Sequence, residues 1–302
     1  MTTHLAAGDW RARAEAHAER ADALTAGHRA RAAARERHPI EDFLFTYYSY
    51  SPGLLRRWHP GAGVELGGAA ATPRAEWRWY APGDEPGSLV VDRAAMTAEK
   101  GAMLALVERM LRRTASRPGA FGCFGLHEWA MVYRQGEHRH PVPLRLGQAA
   151  TDGVVEAHEL RCTHIDAFRF FTPEATPRNR FAPTRESQPE LEQPGCLHAG
   201  MDVYKWAVKL GPLAPGELLL DAFELARDIR YLDMQASPYD MEPWGGEPVR
   251  IETAEGKAEY VRRQRGFAER ANGLRRELLD AAFPAGSAGS AEPARSTPIA
   301  AG

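Results

Sequence analysis

The chain has 302 residues, 44% hydrophobic and 26% charged, which is ordinary for a soluble protein and enough for one large core or two small ones. A formal net charge of −2 excludes a global polycation that holds nucleic acid by charge alone, although a local basic patch would suffice. No apolar run approaches the roughly 18 residues that would suggest a bilayer span, the N-terminal MTTHLAAGDWRARAEAHAER lacks the apolar stretch of a secretory signal, and three cysteines are too few for a disulfide framework. The expected setting is the reducing cytoplasm, with no membrane partner.

Residues 9–37 are rich in Ala, Arg and Glu and predict a helix with Asp9 at its N-cap. Few large apolar residues follow Trp10, so residues 1–37 read as a charged, largely solvated arm that the fold does not need. Arg11, Arg13, Arg20, Arg29, Arg31, Arg35 and Arg37 invite a DNA contact. The interleaved Glu15, Glu19, Asp22 and Glu36 favour a plain solvent-facing helix. From Pro39, HPIEDFLFTYYSYSPGLLRRWHPG predicts two buried helical turns split at Ser51-Pro52. Gly61 to Pro86 is loop-rich, with strand candidates at Gly63–Leu66 and Glu76–Tyr80. Asp92 to Arg117 predicts a helix with Met96, Met103, Leu104, Leu106, Val107, Met110 and Leu111 on its apolar face. After a glycine turn, LHEWAMVYR predicts a helix, His158 to Phe171 a strand, and the proline-rich 173–194 a loop. Helices are expected over Leu197–Leu210, Pro215–Gln235 and Thr253–Ala282, followed by a disordered tail over 284–302. The fold class is mainly α with a small β component: one domain over 38–283 between the arm and the tail.

Chemistry concentrates between Gly119 and Asp240. Each cysteine precedes a histidine: Cys123 and His127, Cys162 and His164, Cys196 and His198. Thiolate and imidazole suit zinc, but without Cys-x-x-Cys pairs the cysteines read more simply as small buried hydrophobes. His164 and Asp166, two apart on a strand, would share a face. With His198 they offer the two-histidine, one-carboxylate set of a non-haem iron site, against the plainer reading of hydrogen-bonded strand-end groups. His198 and Asp202 lie four apart on one helix face, with Lys205 extending the edge. Asp221, Glu224 and Asp228 form either a solvated stripe or a cluster beside His198, and Asp233 and Asp240 are further candidates. His127-Glu128 sits in an apolar segment, where an acid must be paired or perturbed. Arg178, Arg180 and Arg185 lie on a proline-stiffened loop that suits phosphate or carboxylate clamping, or is simply a basic loop. The expectation is that His127, Glu128, His164, Asp166, His198 and Asp202 converge on one concave site.

The phrases HPIEDFLFTYYSYSPGLLRRWHPG, GCFGLHEWAMVYR, RCTHIDAFRFFTP, QPGCLHAGMDVYKWAVKL and ELARDIRYLDMQASPYD resemble a bacterial family labelled 3-methyladenine DNA glycosylase, from about His38 to Leu279. The resemblance implies a DNA-repair hydrolase of base excision that cleaves the N-glycosidic bond of an extruded alkylated base. GPLAPGELLLDAF lacks the second glycine and the spacing of the helix-hairpin-helix glycosylases, so no catalytic aspartate transfers from them. On this reading Glu128, Asp166 or Asp202, with His127, would carry catalysis, and DNA or a nucleobase-containing molecule would be the partner. Trp129, Phe168, Phe170, Tyr204 and Trp206 would stack on the base, and Arg178, Arg180 and Arg185 would hold the substrate. Two other classes stay open. One is a metal-dependent (iron or zinc) small-molecule enzyme with His164, Asp166 and His198 as ligands. The other is a non-catalytic nucleic-acid-associated protein that uses the N-terminal arginines and the proline-rich loop.

Overall fold

A computed structural model describes residues 2–136 and 142–284. In chain order, β1 (Thr3–Leu5) and the long α1 (Ala7–Ala34) lead into α2 (Phe43–Tyr47), α3 (Pro52–Leu55) and β2 (Val64–Leu66). Next come β3 (Tyr80–Pro82), β4 (Leu89–Val91), α4 (Arg93–Ala115), α5 (Leu126–Ala130), α6 (Gln148–Glu156), α7 (Ile165–Phe168) and α8 (Gln188–Leu191). The chain then forms α9 (Leu197–Leu210), α10 (Gly216–Gln235) and α11 (Ala254–Ala282). The class is mainly α with one small mixed sheet, ordered β1-β2-β4-β3, in which only β1 and β2 run parallel. The tail expected over 284–302 lies, beyond Pro284, outside the described residues.

α9 is the centre of the molecule, packed among α4, α10 and α11. Its sequence LHAGMDVYKWAVKL leaves little for solvent, and even His198 and Asp202 are buried. Gly200 lets α10 come close: a Cβ there would stand 2.7 Å from the Ile229 side chain. α11 pins the first turn of α9 through Arg275, which donates to the Ala199 carbonyl at 2.6 Å, and Gln264, which donates to Gly195 at 2.6 Å.

Three local expectations change. The strand expected over His158 to Phe171 does not form. After α6 the chain makes one bridge, Leu160 to Asn179, and then the short α7. The Asn179 side chain accepts from the Cys162 N–H and donates to the Cys162 carbonyl, so an amide takes the backbone bonds that a neighbouring strand would have supplied. The strand candidate at Glu76–Tyr80 starts only at Tyr80. Pro73–Glu76 is a 3₁₀ turn and Trp79 has φ +68, which interrupts extended backbone.

The third concerns the N-terminal segment, which is docked on the body. β1 extends the sheet, and α1 buries Trp10, His17, Ala21 and Thr25. Trp10 donates to Gly67 at 3.0 Å and shares a small core with Trp58, Leu66 and Leu89. The buried Arg74 guanidinium lies over the Trp10, Trp58 and Trp77 rings, which is the specific attraction the composition of the arm does not display. Arg13 pairs with Glu217, Arg20 with Asp221 and Glu224, and Arg31 with Glu41 and Asp42. These arginines meet the protein's own carboxylates. A chain starting at His38 would therefore expose Trp58 and Leu66 and leave β2 without its parallel neighbour. Its melting temperature, followed by circular dichroism, should fall by about 5 °C or more, since about 3 kcal/mol or more of indole and aliphatic burial is removed. Unchanged melting would show that the arm contributes nothing.

Candidate metal centre

Five elements bring ionisable side chains to one place inside the core. α9 places His198 and Asp202 four residues apart on the same face, with Lys205 one turn on. α10 contributes Arg230 and Asp233, in phase with the buried Phe223, Ala226 and Ile229. α5 starts abruptly at Gly125, whose φ of +73 lets His127 and Glu128 turn inward within one residue of the loop. His164 stands at the N-cap of α7, Asp166 is in its first turn, and Glu192 follows α8.

The result is a continuous line of polar groups. Arg230 lies 3.2 Å from Glu128 and 2.8 Å from Asp233. Asp233 Oδ1 is 3.0 Å from His127 Nε2. The His127 and His198 rings meet edge-on at 4.5 Å, and His198 lies 5.4 Å from His164. His164 Nε2 stands 3.0 Å from Glu192 Oε1 and 3.3 Å from Asp202 Oδ2. Lys205 joins Asp202 at 2.7 Å to Asp166 at 3.4 Å, and Arg185 closes the line on Asp166.

Two groups of three converge closely enough to hold an ion: His127, His198 and Asp233, and His164, Glu192 and Asp202, with ligand atoms in each group within 4.8 Å of one another. All six residues are buried. His127 Nε2, Asp233 Oδ1 and both ring nitrogens of His164 make no hydrogen bond among the described residues, although carboxylate oxygens lie at contact distance. Buried polar atoms are rarely left so.

The electrostatics differ between the histidines: burial lowers His127, but Asp233 outweighs it and raises this imidazole well above its ordinary value. Burial, with the neighbouring His127, pulls His198 down to about 3, so its imidazole is neutral and its lone pair free. Burial alone would raise Asp202, but Lys205 and His164 outweigh it and hold the carboxyl well below its usual range. Burial likewise opposes ionisation of Asp233, and His127 overcomes it. Without an ion, burial lowers His164, yet Glu192 and Asp202 lift it to about 9. The two carboxylates thus attract positive charge to that point, whether a proton or a metal supplies it.

The sequence-level candidates sort as follows. The six residues expected to converge are all in this line, but as an internal chain of contacts and not as the lining of one concave pocket. His164, Asp166 and His198 do not form one ligand set. Asp166 turns outward to Arg185 and Lys205 once α7 replaces the strand, while His164 and His198 enter different triads. The cysteines share a small cavity of about 10 Å³ with His127 and His198, room for about one water. None belongs to either triad, and burial raises the Cys162 and Cys196 thiols, which keeps them protonated where no metal is bound. Asp221 and Glu224 face α1, and Asp228 pairs with Arg270, so the acidic stripe of α10 lies outside the centre. Asp240 accepts from the Glu242 N–H beyond the end of α10.

Trp129, Tyr204 and Trp206 are core residues, and Phe168 and Phe170 are partly exposed. Arg178 donates to the Glu156 carbonyl and Arg180 lies near Glu159, away from the centre, which leaves Arg185 as the one clamp-loop arginine that reaches it. Glu192 and Arg230 were missed. Arg230 could have been found, because an arginine four residues after Ala226 breaks the apolar phase of α10. Nothing in the sequence near Glu192, in a proline-rich loop, marks it as buried.

No protein-family model, curated protein or solved structure matches the chain, so the centre is read from its own geometry. Arg230 is the cation that Glu128 and Asp233 share, and its removal would strand buried negative charge. Arg230→Met should cost about 3–5 kcal/mol in chemical denaturation. A loss below about 1 kcal/mol would show that the two acids are not held as ions.

Proposed function

We propose that the chain is a metal-dependent enzyme acting on a small molecule, with iron or zinc held by the buried histidine–carboxylate triads. One observation carries the reading: His164 is fully buried with its Nε2 3.0 Å from Glu192 and 3.3 Å from Asp202, so one imidazole and two carboxylates converge in the core. Nitrogen and carboxylate oxygen in a set of three leave further coordination positions for water or substrate. The set His127, His198 and Asp233 has the two-histidine, one-carboxylate composition of an iron site. A metal bound there would supply Lewis acidity and lower the pKa of a bound water.

The surrounding residues fit the role of orienting ligands. Tyr48 donates to Asp202 at 3.3 Å and Lys205 at 2.7 Å, so this carboxylate has a fixed orientation. Gln188 donates to Glu192, and Arg230 to Asp233 at 2.8 Å. Elemental analysis of the purified chain is expected to find about one iron or zinc per occupied triad. His164→Ala and His198→Ala should each lower the metal content, and the double variant should abolish it. A wild type free of both metals after metal-supplemented expression, or a double variant that retains the full content, would overturn the reading.

A second reading rests on the phrases that resemble the 3-methyladenine DNA glycosylase family. An alkylated purine is a cationic leaving group, so a carboxylate that stabilises the sugar cation would be the essential group. Glu128, Asp166 and Asp202 remain its candidates. Trp129, Tyr204 and Trp206 are too enclosed to stack on an extruded base, which leaves Phe168 and Phe170. This reading expects release of methylated base from alkylated duplex that survives a strong chelator and is lost in Asp166→Asn or Asp202→Asn. No release by the wild type on any alkylated duplex rejects it.

A further inference from the structure

One end of the polar line reaches the surface. Tyr47 and Tyr48 at the end of α2, Asp166 of α7 with Arg169 just after it, Arg185, Gln188 of α8, and Lys205, Trp206 and Lys209 of α9 surround an open cleft of about 510 Å³. That is the size of a small-molecule site. Four cations line it, and Asp166 is the only carboxylate among its lining residues. Counting Asp202 behind it, which Lys205 and Tyr48 contact directly, two positive charges remain in excess. The Arg185 and Arg169 side chains are about half exposed although both approach the buried Asp166, so their remaining N–H donors face the cleft. Lys209 is exposed and has no carboxylate partner among the described residues.

We infer that this cleft binds the phosphate group of a small-molecule substrate and presents the rest of that molecule toward the His164, Glu192 and Asp202 triad. The inference rests on the metal reading for its direction and names the substrate class for that centre. A phosphate dianion matches the surplus of two charges. Arginine forks suit its oxygens geometrically, while Lys205 and Lys209 act as point charges. Lys205 is the physical link. It spans Asp166 on the cleft floor and Asp202 in the triad, so an anion that draws on Lys205 alters the charge on a triad ligand. The cleft lies on a chain with a formal net charge of −2, and Arg13, Arg20 and Arg31 of the N-terminal helix are paired with the protein's own carboxylates. A small phosphorylated molecule fits these facts better than a nucleic-acid backbone.

The test is isothermal titration of inorganic phosphate at constant ionic strength, on the zinc-loaded full chain and on the chelator-treated chain. The expected result is binding in both, weakened by about tenfold or more in Arg185→Gln and in the double variant Arg169→Gln/Lys209→Gln, and unchanged in Arg180→Gln. The double variant alters only exposed side chains, which keeps the test valid if Arg185→Gln perturbs folding. Binding that disappears on chelation and ignores the cleft variants overturns the inference, because phosphate is then a metal ligand and the metal reading stands alone. Absence of metal with variant-sensitive phosphate binding keeps the cleft and rejects the metal. No phosphate binding to either form, or displacement of phosphate by a short DNA duplex at far lower concentration, also overturns it.

Discussion

Everything in this structure depends on how charge is kept inside a helical core. Glu128, Glu192, Asp202 and Asp233 are buried together around α9 and α10. Each uncompensated buried carboxylate would cost several kcal/mol, comparable to the whole stability of a domain. Arg230 and Lys205 offset part of that charge, and Arg275 stands behind Glu192 with its own pKa lowered to about 10 by burial. The three histidines lie where compensation is still incomplete. The packing of the helices follows from this requirement. α10 must approach α9 at Gly200 to bring Asp233 to His198, and the α5 turn at Gly125 must be tight to bring His127 between them.

Helical periodicity made much of this legible before any coordinates. The spacing of His198 and Asp202 on a helix that is otherwise apolar placed them on one face, and α9 has those bounds. The same reasoning located α4, α10 and α11 to within a few residues. An acid within the apolar run of α5 had to be paired, and Glu128 is paired with Arg230. Periodicity failed where side chains satisfy backbone groups. Between His158 and Phe171 the residues favour a strand, but Asn179 supplies the bonds and no partner strand is present. That one substitution of side chain for strand turned Asp166 away from His164 and divided the expected ligand set.

The N-terminal helix shows a second limit. Its composition is that of a solvated, charged helix, and most of its surface is exposed. What holds it is a few specific contacts: an indole over a guanidinium, one imidazole bonded to the Leu55 carbonyl, and ion pairs to residues about 200 positions away. Counting apolar residues underrates such an interface, because Trp10 and Arg74 contribute more than their number suggests. Of the arginines that suggested a DNA-binding face, Arg13, Arg20 and Arg31 are bound to the protein's own carboxylates.

The remaining question of physics is why His127 and His164 should sit at contact distance from carboxylates without aligned hydrogen bonds. A protonated imidazole beside one acid would swing to place its N–H on the oxygen, and at Asp42 the polar groups do so: His28 bonds at 2.9 Å and Arg31 at 2.7 Å. The same chain therefore aligns three donors, His28, Arg31 and the His38 N–H, on the single carboxylate of Asp42. In the core, each imidazole faces more than one acceptor or another imidazole, and a single proton on one nitrogen cannot serve them all. A bound cation would serve several lone pairs at once, and would take the place of the proton that Glu192 and Asp202 favour on His164. At the surface His4 and Glu85 also lie 3.0 Å apart without an aligned hydrogen bond, so what sets the core apart is burial together with the convergence of three ligand atoms at each triad.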